Sequence, residues 1–495
     1  MMRLPLNTEY YLLAGYAAAA VLAFQLLRAV YRLHFHPLSK FPGPRSAAIS
    51  DQWQAKLTKL GYPEPEYEKL HADFDTKALR IGPNKLHLSD TSLYKLIYSQ
   101  ANPFLKEKDF YDAFGSLHSL FVESDPHLHK ERRKLLNPLF SKSGVLKLEP
   151  LMVEKAEELK LKIKRVSKAG SINVANAFRC MTVDVITEFA FGKCANLTNE
   201  HPTSFDAEFL EVLHAGGNVP PKIYYSTITR LLTKWVPLSV AANFSTDLRR
   251  MADLLGTAAR SHDEYTRRTT NSKFPVIFDY LQSVPDHLQK LEAIDILIAG
   301  SDTSAFTLTT ALYHILSMPE VEKALVESLD QVIGKSQTLP SLLQLEKIKY
   351  LRACVNEALR VAMPVPGMLP RIVPKQAQPL IVDGKVIPPG TIVGISAYTM
   401  HTDPEIWGSD AKSFNPARWL GPDAKQLETN IHTFSKGLRQ CIGINIAYAE
   451  VTMTLALLFH DFKMELKTKE LHLEDRFTTE VLGPVLVDFK PRQHS

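Results

Sequence analysis

The stretch FSKGLRQCIG, Phe434 to Gly443, decides how the rest of the chain is read. Gly437 and Gly443 permit a tight loop with positive φ. Cys441 closes that loop just before an apolar helical pattern, Ile444 to His460. Backbone N–H groups and the dipole at a helix N-terminus stabilise negative charge on sulfur. Arg439 adds a nearby cation. A cysteine in this setting is expected to be a thiolate and a ligand, whereas a cysteine taken at random is a small buried apolar group. Only three others occur, Cys180, Cys194 and Cys354. Four cysteines in 495 residues exclude a disulfide scaffold and fit a reducing compartment.

Upstream of the loop, Tyr398 to Gly443 shows little periodicity, and a stretch that long inside a compact body is usually functional. Between Ile372 and Ser396 the pattern is short, Val/Ile-rich and broken by Pro and Gly, with Asp383-Gly384 as a hairpin turn. The rest of the body reads as helix: Asp125–Leu136, Leu148–Val166, Ala175–Phe191, Ala207–Ala215, Thr246–Thr266, His287–Leu316, Pro319–Ile333 and Tyr350–Val361. The fold class is therefore mainly α with small β-sheets. Length alone suggests several domains, but no linker divides the body, so residues 47–495 are expected to form one domain. Apolar residues at 45% and charged residues at 22% are ordinary globular values and exclude a disordered or fibrous chain. A net charge of +5 is too small to indicate a nucleic-acid partner.

The N-terminus departs from this average. Tyr10 to Leu27 is an 18-residue run without a charge. At 1.5 Å per residue it reaches roughly 27 Å, close to the hydrocarbon thickness of a bilayer. Tyr10, Tyr11 and Tyr31 flank it as interface anchors, and Arg28, Arg32, Lys40 and Arg45 follow. The positive-inside rule places that flank in the cytosol. Residues 1–32 are thus expected to be a single-pass anchor, with its transmembrane helix at about 10–31. A cleaved signal peptide fits less well, because no small-x-small site follows the run. Residues 33–46 contain HFHPLSKFPGP, a stiff proline-rich hinge. With the body in the cytosol, the sequons at Asn196 and Asn243 should stay unglycosylated.

Three motifs carry further chemistry. In EALR, Glu357 and Arg360 share one helix face and can pair. In AGSDTS (299–304), Gly300 costs roughly 1 kcal/mol in mid-helix. Thr303 can bond back to a carbonyl one turn earlier and loosen the ladder. An acid followed by an alcohol, Asp302 and Thr303, suits proton delivery. In HKERRK (129–134), Lys130, Arg132 and Lys134, together with Lys436, can form a basic patch that steers an acidic protein.

These motifs together resemble the haem-thiolate monooxygenases of the cytochrome P450 family. The pattern F-x-x-G-x-R-x-C-x-G is matched at Phe434, Gly437, Arg439, Cys441 and Gly443. The resemblance implies haem b as cofactor with Cys441 as axial ligand on iron, O2 as co-substrate and electrons from NADPH. It implies a buried E-x-x-R pair joined by Arg418 of Pro416-Ala-Arg418-Trp419, a structural network that holds the haem loop. The family often has Glu where Ala417 stands. It implies Arg133, Arg439 and Arg371 on the haem propionates, an apt use of a planar guanidinium, with His129 replacing the family's usual aromatic. Asp302 and Thr303 become the catalytic pair of oxygen activation. The partners implied are NADPH–cytochrome P450 reductase and cytochrome b5, at the endoplasmic reticulum membrane.

For substrate, the resemblance points to a pocket lined by Phe104–Phe121, residues 205–235, the start of the helix that carries AGSDTS, Val365–Leu369 and a turn near Val481–Gly483. It is expected to take a lipophilic small molecule. HFHPLSK looks like filamentous-fungal members, which oxidise terpenoid, polyketide or alkaloid intermediates of secondary metabolism. Two other readings stand beside this one. A reductase-independent haem-thiolate isomerase or dehydratase is disfavoured by the complete Asp302–Thr303 pair. A non-catalytic haem- or sterol-binding membrane protein is disfavoured by retention of every motif.

Overall fold

The axis of the body is a 31-residue helix that the sequence dictates through near-continuous apolar and small residues. The computed structural model describes residues 8–98, 104–268, 272–336, 338–375 and 378–493. Residues 1–7 of the expected anchor lie outside them. In chain order the long helices are α1 (Thr8–Val30), α2 (Pro126–Phe140), α3 (Lys142–Val166), α4 (Val174–Phe191), α5 (Phe209–Tyr224), α6 (Thr227–Trp235) and α7 (Thr246–Thr266). The axis itself, α8 (Asp286–Leu316), follows, then α9 (Pro319–Ile333), α10 (Lys349–Ala362) and α11 (Ile444–Asp461). The mainly helical reading with small sheets holds. Helix boundaries agree to within one residue except at α2, α3 and α5. There the chain extends the helix by four residues at its C-terminus, six at its N-terminus and nine at its C-terminus respectively. Helix α5 continues through Gly216, Gly217, Pro220 and Pro221 because buried Leu210, Leu213 and Val219 hold it on the core.

Helix α8 packs most closely on α4. Gly300 explains how: a Cβ there would lie 2.6 Å from Ile186 Cδ1 of α4. Its role is close approach between helices, in addition to the loosened ladder expected from sequence. On the buried side of α8, Leu297, Ser301, Ala305, Leu308 and Leu312 repeat at three- and four-residue spacing. Ala299 and Thr303, one turn apart, remain accessible in the same helix. The core runs through α3, α4, α8, α10 and α11 as one apolar cluster.

A smaller core lies under a five-stranded sheet with spatial order Ala78–Gly82, Lys85–Leu88, Ile392–Gly394, Arg371–Ile372 and Leu105–Lys106. The central pair, Lys85–Leu88 with Ile392–Gly394, is parallel and the others are antiparallel. The proline-rich segment packs into this core: Leu38 and Phe41 are buried there, and Arg80 N donates to Pro42 O at 2.7 Å. Gly43 (φ +156°) is required, because a Cβ would meet Arg80 O at 2.3 Å. Asp383 and Gly384, at φ +51° and +68°, make the expected hairpin turn between Leu380–Val382 and Lys385–Ile387. The stretch before the loop is less bare than expected, with short helical turns at Ala397–Thr402, Pro404–Trp407, Pro416–Leu420 and Ala424–Glu428.

Helix α1 runs on into a π-helical turn, Tyr31–Phe35, and its apolar side chains from Tyr10 onward touch nothing in the body. Helix α6 also exposes apolar groups: Ile228, Leu231, Leu232 and Trp235, with Phe244 beyond.

Glu450 of α11 is buried beside Ser304. Burial raises its carboxyl from 4.5 to about 8, against the pull of the Ser304 hydroxyl. The folded protein therefore keeps a proton that the unfolded chain releases. Its contribution to stability falls as pH rises from about 4.5 to about 8 and is flat above. Glu450→Gln removes that slope. The melting temperature of the variant relative to the parent should rise between pH ~5 and pH ~8; a constant difference would contradict the assignment.

Candidate active site

Residues Phe434 to Gly443 close into a loop through Cys441 N donating to Phe434 O at 2.8 Å. Gly437 adopts φ +70° at the turn, as its type allows. Gly443 does not: its φ is −79°, and it caps α11. A side chain there would start 3.7 Å from Cys441 Sγ, on the sulfur's own flank. The second positive φ of the loop is Ser435 at +56°.

Cys441 lies deep in the protein, yet its thiol is accessible, so it borders an internal space rather than the outer surface. Burial pushes the thiol above its ordinary value. The N–H groups of Gly443 and Ile444 and the guanidinium of Arg133 pull it back. The helix-start stabilisation expected from sequence is present, but burial outweighs it. The cation acting on the sulfur is Arg133, not Arg439. Arg133 Nη1 donates to Gln440 O at 2.5 Å, and Arg439 turns away to Glu123 O (2.7 Å) and Ser124 O (3.2 Å). A thiolate here needs a cation on its open side.

Beside the loop is a concentration of positive charge. Lys106 and Arg371 are buried and sit directly opposite each other on antiparallel strands. Like charges so placed repel. Arg371 Nη1 donates to Tyr111 Oη at 2.6 Å and Lys106 Nζ donates to Phe121 O. Among the described residues no carboxylate lies within 4.0 Å of Lys106, Arg133, Arg371 or Arg439; the ion pairs of the protein lie elsewhere. Burial, then Arg371, lowers Arg439 to about 10. Buried His129 is driven far down by burial, then by Arg439, Lys106, Arg133 and Arg371. It is a neutral group among four cations. Lys106, Arg371 and Arg439 line one cavity. Buried charges of one sign persist when a group of the other sign is bound among them. The donor set fits the two propionates of haem, and the adjoining open thiol fits its iron. The resemblance had supplied the arginines and His129; Lys106 was missed, because its partner strand is only two residues long and far away in sequence.

On α8, Thr303 Oγ1 donates to Ala299 O at 2.8 Å, the back-bond expected from sequence. The carbonyl of Ser301 accepts from Thr182 of α4 at 2.6 Å. Asp302 is not free to reach Thr303: its Oδ1 is held by Arg179 Nε at 2.8 Å. Arg179 in turn faces His214, whose Nδ1 lies 2.9 Å from Glu480. Arg179 gives no signal in the sequence, since its partner Asp302 lies on another helix far along the chain.

Glu357 is fully buried and accepts five hydrogen bonds. Arg360 gives two, at 2.9 and 2.7 Å, and Arg418 Nε gives one at 3.1 Å. Trp419 Nε1 and Asn415 N add bonds at 2.9 and 2.7 Å. Arg360 Nη1 also reaches His401 O at 2.8 Å, and His401 Nε2 accepts from His432 N at 2.8 Å. Thr433 Oγ1 donates to Leu359 O at 2.6 Å. The network thus reaches the cysteine loop through residues 432 and 433.

Two expectations need correction. Arg132 does not join a solvated basic patch: it pairs with buried Glu292 of α8 at 2.7 Å. Lys130 and Lys134 are exposed, and Lys436 stands near Lys95. The substrate-side cavity is lined by Phe110, Phe114, Tyr224, Val365 and Met368 as expected, but its C-terminal contribution is Phe477, not Val481–Gly483. The hairpin turns at Phe477 (φ +78°), leaving 481–482 paired in a strand.

The family model for Cytochrome P450 matches residues 80–489. The chain is 31% identical over 477 residues to the cytochrome P450 monooxygenase macH of Penicillium terrestre, covering 91% of each chain. It is 30% identical to the cytochrome P450 monooxygenase aneF of Aspergillus aculeatus, over 92% of this chain and 94% of that one. It is also 30% identical to the fusicoccadiene C-8 hydroxylase of Alternaria brassicicola, over 92% and 90%.

Proposed function

The chain belongs to the cytochrome P450 family and is a haem-dependent monooxygenase of fungal secondary metabolism, and we propose that Cys441 would supply the thiolate that holds its haem iron. The observation that carries the assignment is the open Cys441 thiol at the end of its loop, beside buried Lys106 and Arg371 and half-buried Arg133 and Arg439, which have no carboxylate partner among the described residues. When bound, haem supplies the binding and reductive activation of O2. Lys106, Arg133, Arg371 and Arg439 would hold its carboxylates, and His129 would donate as a neutral ring. The Gly443 and Ile444 N–H groups orient the sulfur and moderate its charge. Thr303 Oγ1 holds a proton on the accessible face of α8. Asp302 passes protons toward it when Arg179 releases the carboxylate. One oxygen atom enters a lipophilic substrate.

NADPH is the electron source, through a cytochrome P450 reductase, with cytochrome b5 as a second donor. Exposed Lys130 and Lys134 offer an acidic donor protein a salt-sensitive contact. Residues 1–32 anchor the chain in the endoplasmic reticulum membrane, and the body faces the cytosol as one domain. Support comes from α1, long and apolar enough to span and unburied by the body, and from the apolar face of α6.

The test is the carbon-monoxide difference spectrum of the reduced holoprotein. A Soret band at the thiolate position is expected, and its absence overturns the reading. Thr303→Ala separates oxygen activation from binding. NADPH consumption should continue while product per NADPH falls about tenfold and hydrogen peroxide accumulates. Unchanged coupling would remove Thr303 from proton delivery. Product formed without NADPH would favour the reductase-independent reading.

A further inference from the structure

The substrate-side cavity has an apolar wall and an acidic floor. Phe110, Phe114, Phe477 and Tyr224 form the wall. Glu64 and Asp475 line the floor and are 2% and 8% exposed. Gly367 joins them. A Cβ on Gly367 would lie 3.7 Å from both Glu64 Oε1 and Asp475 Oδ2. Two carboxylate oxygens therefore converge on the space that the missing side chain leaves.

Each acid is only partly satisfied by the protein around it: Ser396 bonds to Glu64, and burial raises both carboxyls, Glu64 to about 8 and Asp475 to about 7, so the two hold protons that a bound cation would displace. Asp475 Oδ1 accepts from Phe477 N at 2.9 Å, which leaves Oδ2 toward the cavity. Glu64 Oε2 is buried without a hydrogen-bond partner. Its nearest nitrogen, His87 Nε2, is 3.6 Å away and also lacks a partner. Tautomers explain why these two do not bond. Thr76 O can only accept, so His71 Nδ1, 2.6 Å from it, carries a hydrogen. Burial keeps both imidazoles neutral, so His71 Nε2 accepts from His87 Nδ1 at 2.8 Å. His87 Nε2 is then a bare lone pair that cannot donate to Glu64 Oε2, and at 3.6 Å it lies too far to accept from it. Lys85, also in the cavity, is engaged by Gln54 Oε1 and by Tyr224, and no carboxylate is within 4.0 Å of it.

We propose that this cavity binds the protonated amine of a lipophilic molecule, with the ammonium in the Gly367 space between Glu64 and Asp475 and the hydrocarbon body against the phenylalanines. The inference narrows the substrate class of the monooxygenase reading and rests on it. An ammonium repays the cost of two buried carboxyl groups and gains from the aromatic wall. No group of three metal-ligating side chains exists among the described residues, which favours an organic cation over a metal ion. The cavity adjoins the cation-rich site: Phe114 meets Phe121 edge-to-face and Phe477 meets it at a tilt, and the Phe121 carbonyl holds Lys106.

Three matched probes test this on the purified holoprotein by equilibrium dialysis: N,N-dimethyl-3-phenylpropylamine, its carbon isostere 4-methylpentylbenzene, and 5-phenylpentan-2-one. The amine should bind about tenfold or more tightly than either neutral probe. Gly367→Ala puts a methyl into the space at ordinary contact distance. Asp475→Asn keeps an acceptor for Phe477 N. Both should bring the ratio near one while leaving the hydrocarbon's affinity within about twofold. Equal affinities in the parent, a preference for the ketone, or a preference that survives both variants would overturn the proposal. The carbon-monoxide spectrum of the same samples separates the two readings. A normal thiolate band with equal affinities removes only the amine site, whereas no band in the parent removes the monooxygenase reading.

Discussion

Cys441→Ser should yield a folded protein without the thiolate Soret band and with product formation lowered about 10³-fold or more, roughly 4 kcal/mol of barrier. The fold should survive, because the loop is closed by the Cys441 N–Phe434 O bond and the Gly437 turn, neither of which uses sulfur. The chemistry should not survive. A serine hydroxyl has no accessible anion near neutral pH. The N–H groups of Gly443 and Ile444 that moderate charge on a thiolate are too weak to ionise an alcohol. The other cysteines provide the control. Cys180 and Cys354 are buried, and burial raises Cys180 to about 12 and Cys354 further. Serine at those positions should leave band and turnover in place. Parental turnover in Cys441→Ser would show that the axial ligand lies elsewhere.

Glu357→Ala should lower stability by about 3–5 kcal/mol and cut the yield of haem-loaded protein to a small fraction. The size follows from what is left behind. Arg360 is 1% exposed and loses both bonds to its carboxylate; Arg418 loses one and keeps Asp410 at 3.0 Å. Trp419 Nε1 and Asn415 N lose their acceptor as well. The remaining partners of Arg360, the carbonyls of His401, Ala411 and Ser413, are dipoles and cannot neutralise a buried charge. Because His401 also receives His432 N, the disturbance reaches the cysteine loop. Glu357→Gln keeps the acceptor and should recover part of the yield. Normal haem content and melting in Glu357→Ala would contradict this role.

What could be read from sequence follows a physical division. The loop closed at Cys441, the Thr303–Ala299 back-bond and the Glu357–Arg360 pair are local patterns whose partners lie within a few residues, and the structure contains each of them. Long helices with a steady apolar period were legible for the same reason. Most of the misses are non-local, the φ of Gly443 and the hairpin turn at Phe477 being local ones. Lys106 meets Arg371 across a two-residue strand, and Arg179 meets Asp302 across a helix pair. Glu64 and Asp475 approach each other from the two ends of the chain around a glycine that shows no period. Arg132 looked like a solvated charge because its partner Glu292 lies in another helix. Helix α5 outran its expected end because packing overrode two glycines and two prolines.

The proline-rich segment after α1 has a consequence for how the molecule moves. Its Leu38 and Phe41 are plugs in the small core, and Arg80 grips it through Pro42 O and Arg32 O. Helix α1 is therefore joined to the body as a handle is riveted to a blade, not as a float on a tether. The strand that grips its foot, Ala78–Gly82, belongs to the same sheet as Lys106 and Arg371, so the direction in which α1 leaves the body is fixed relative to the cation site.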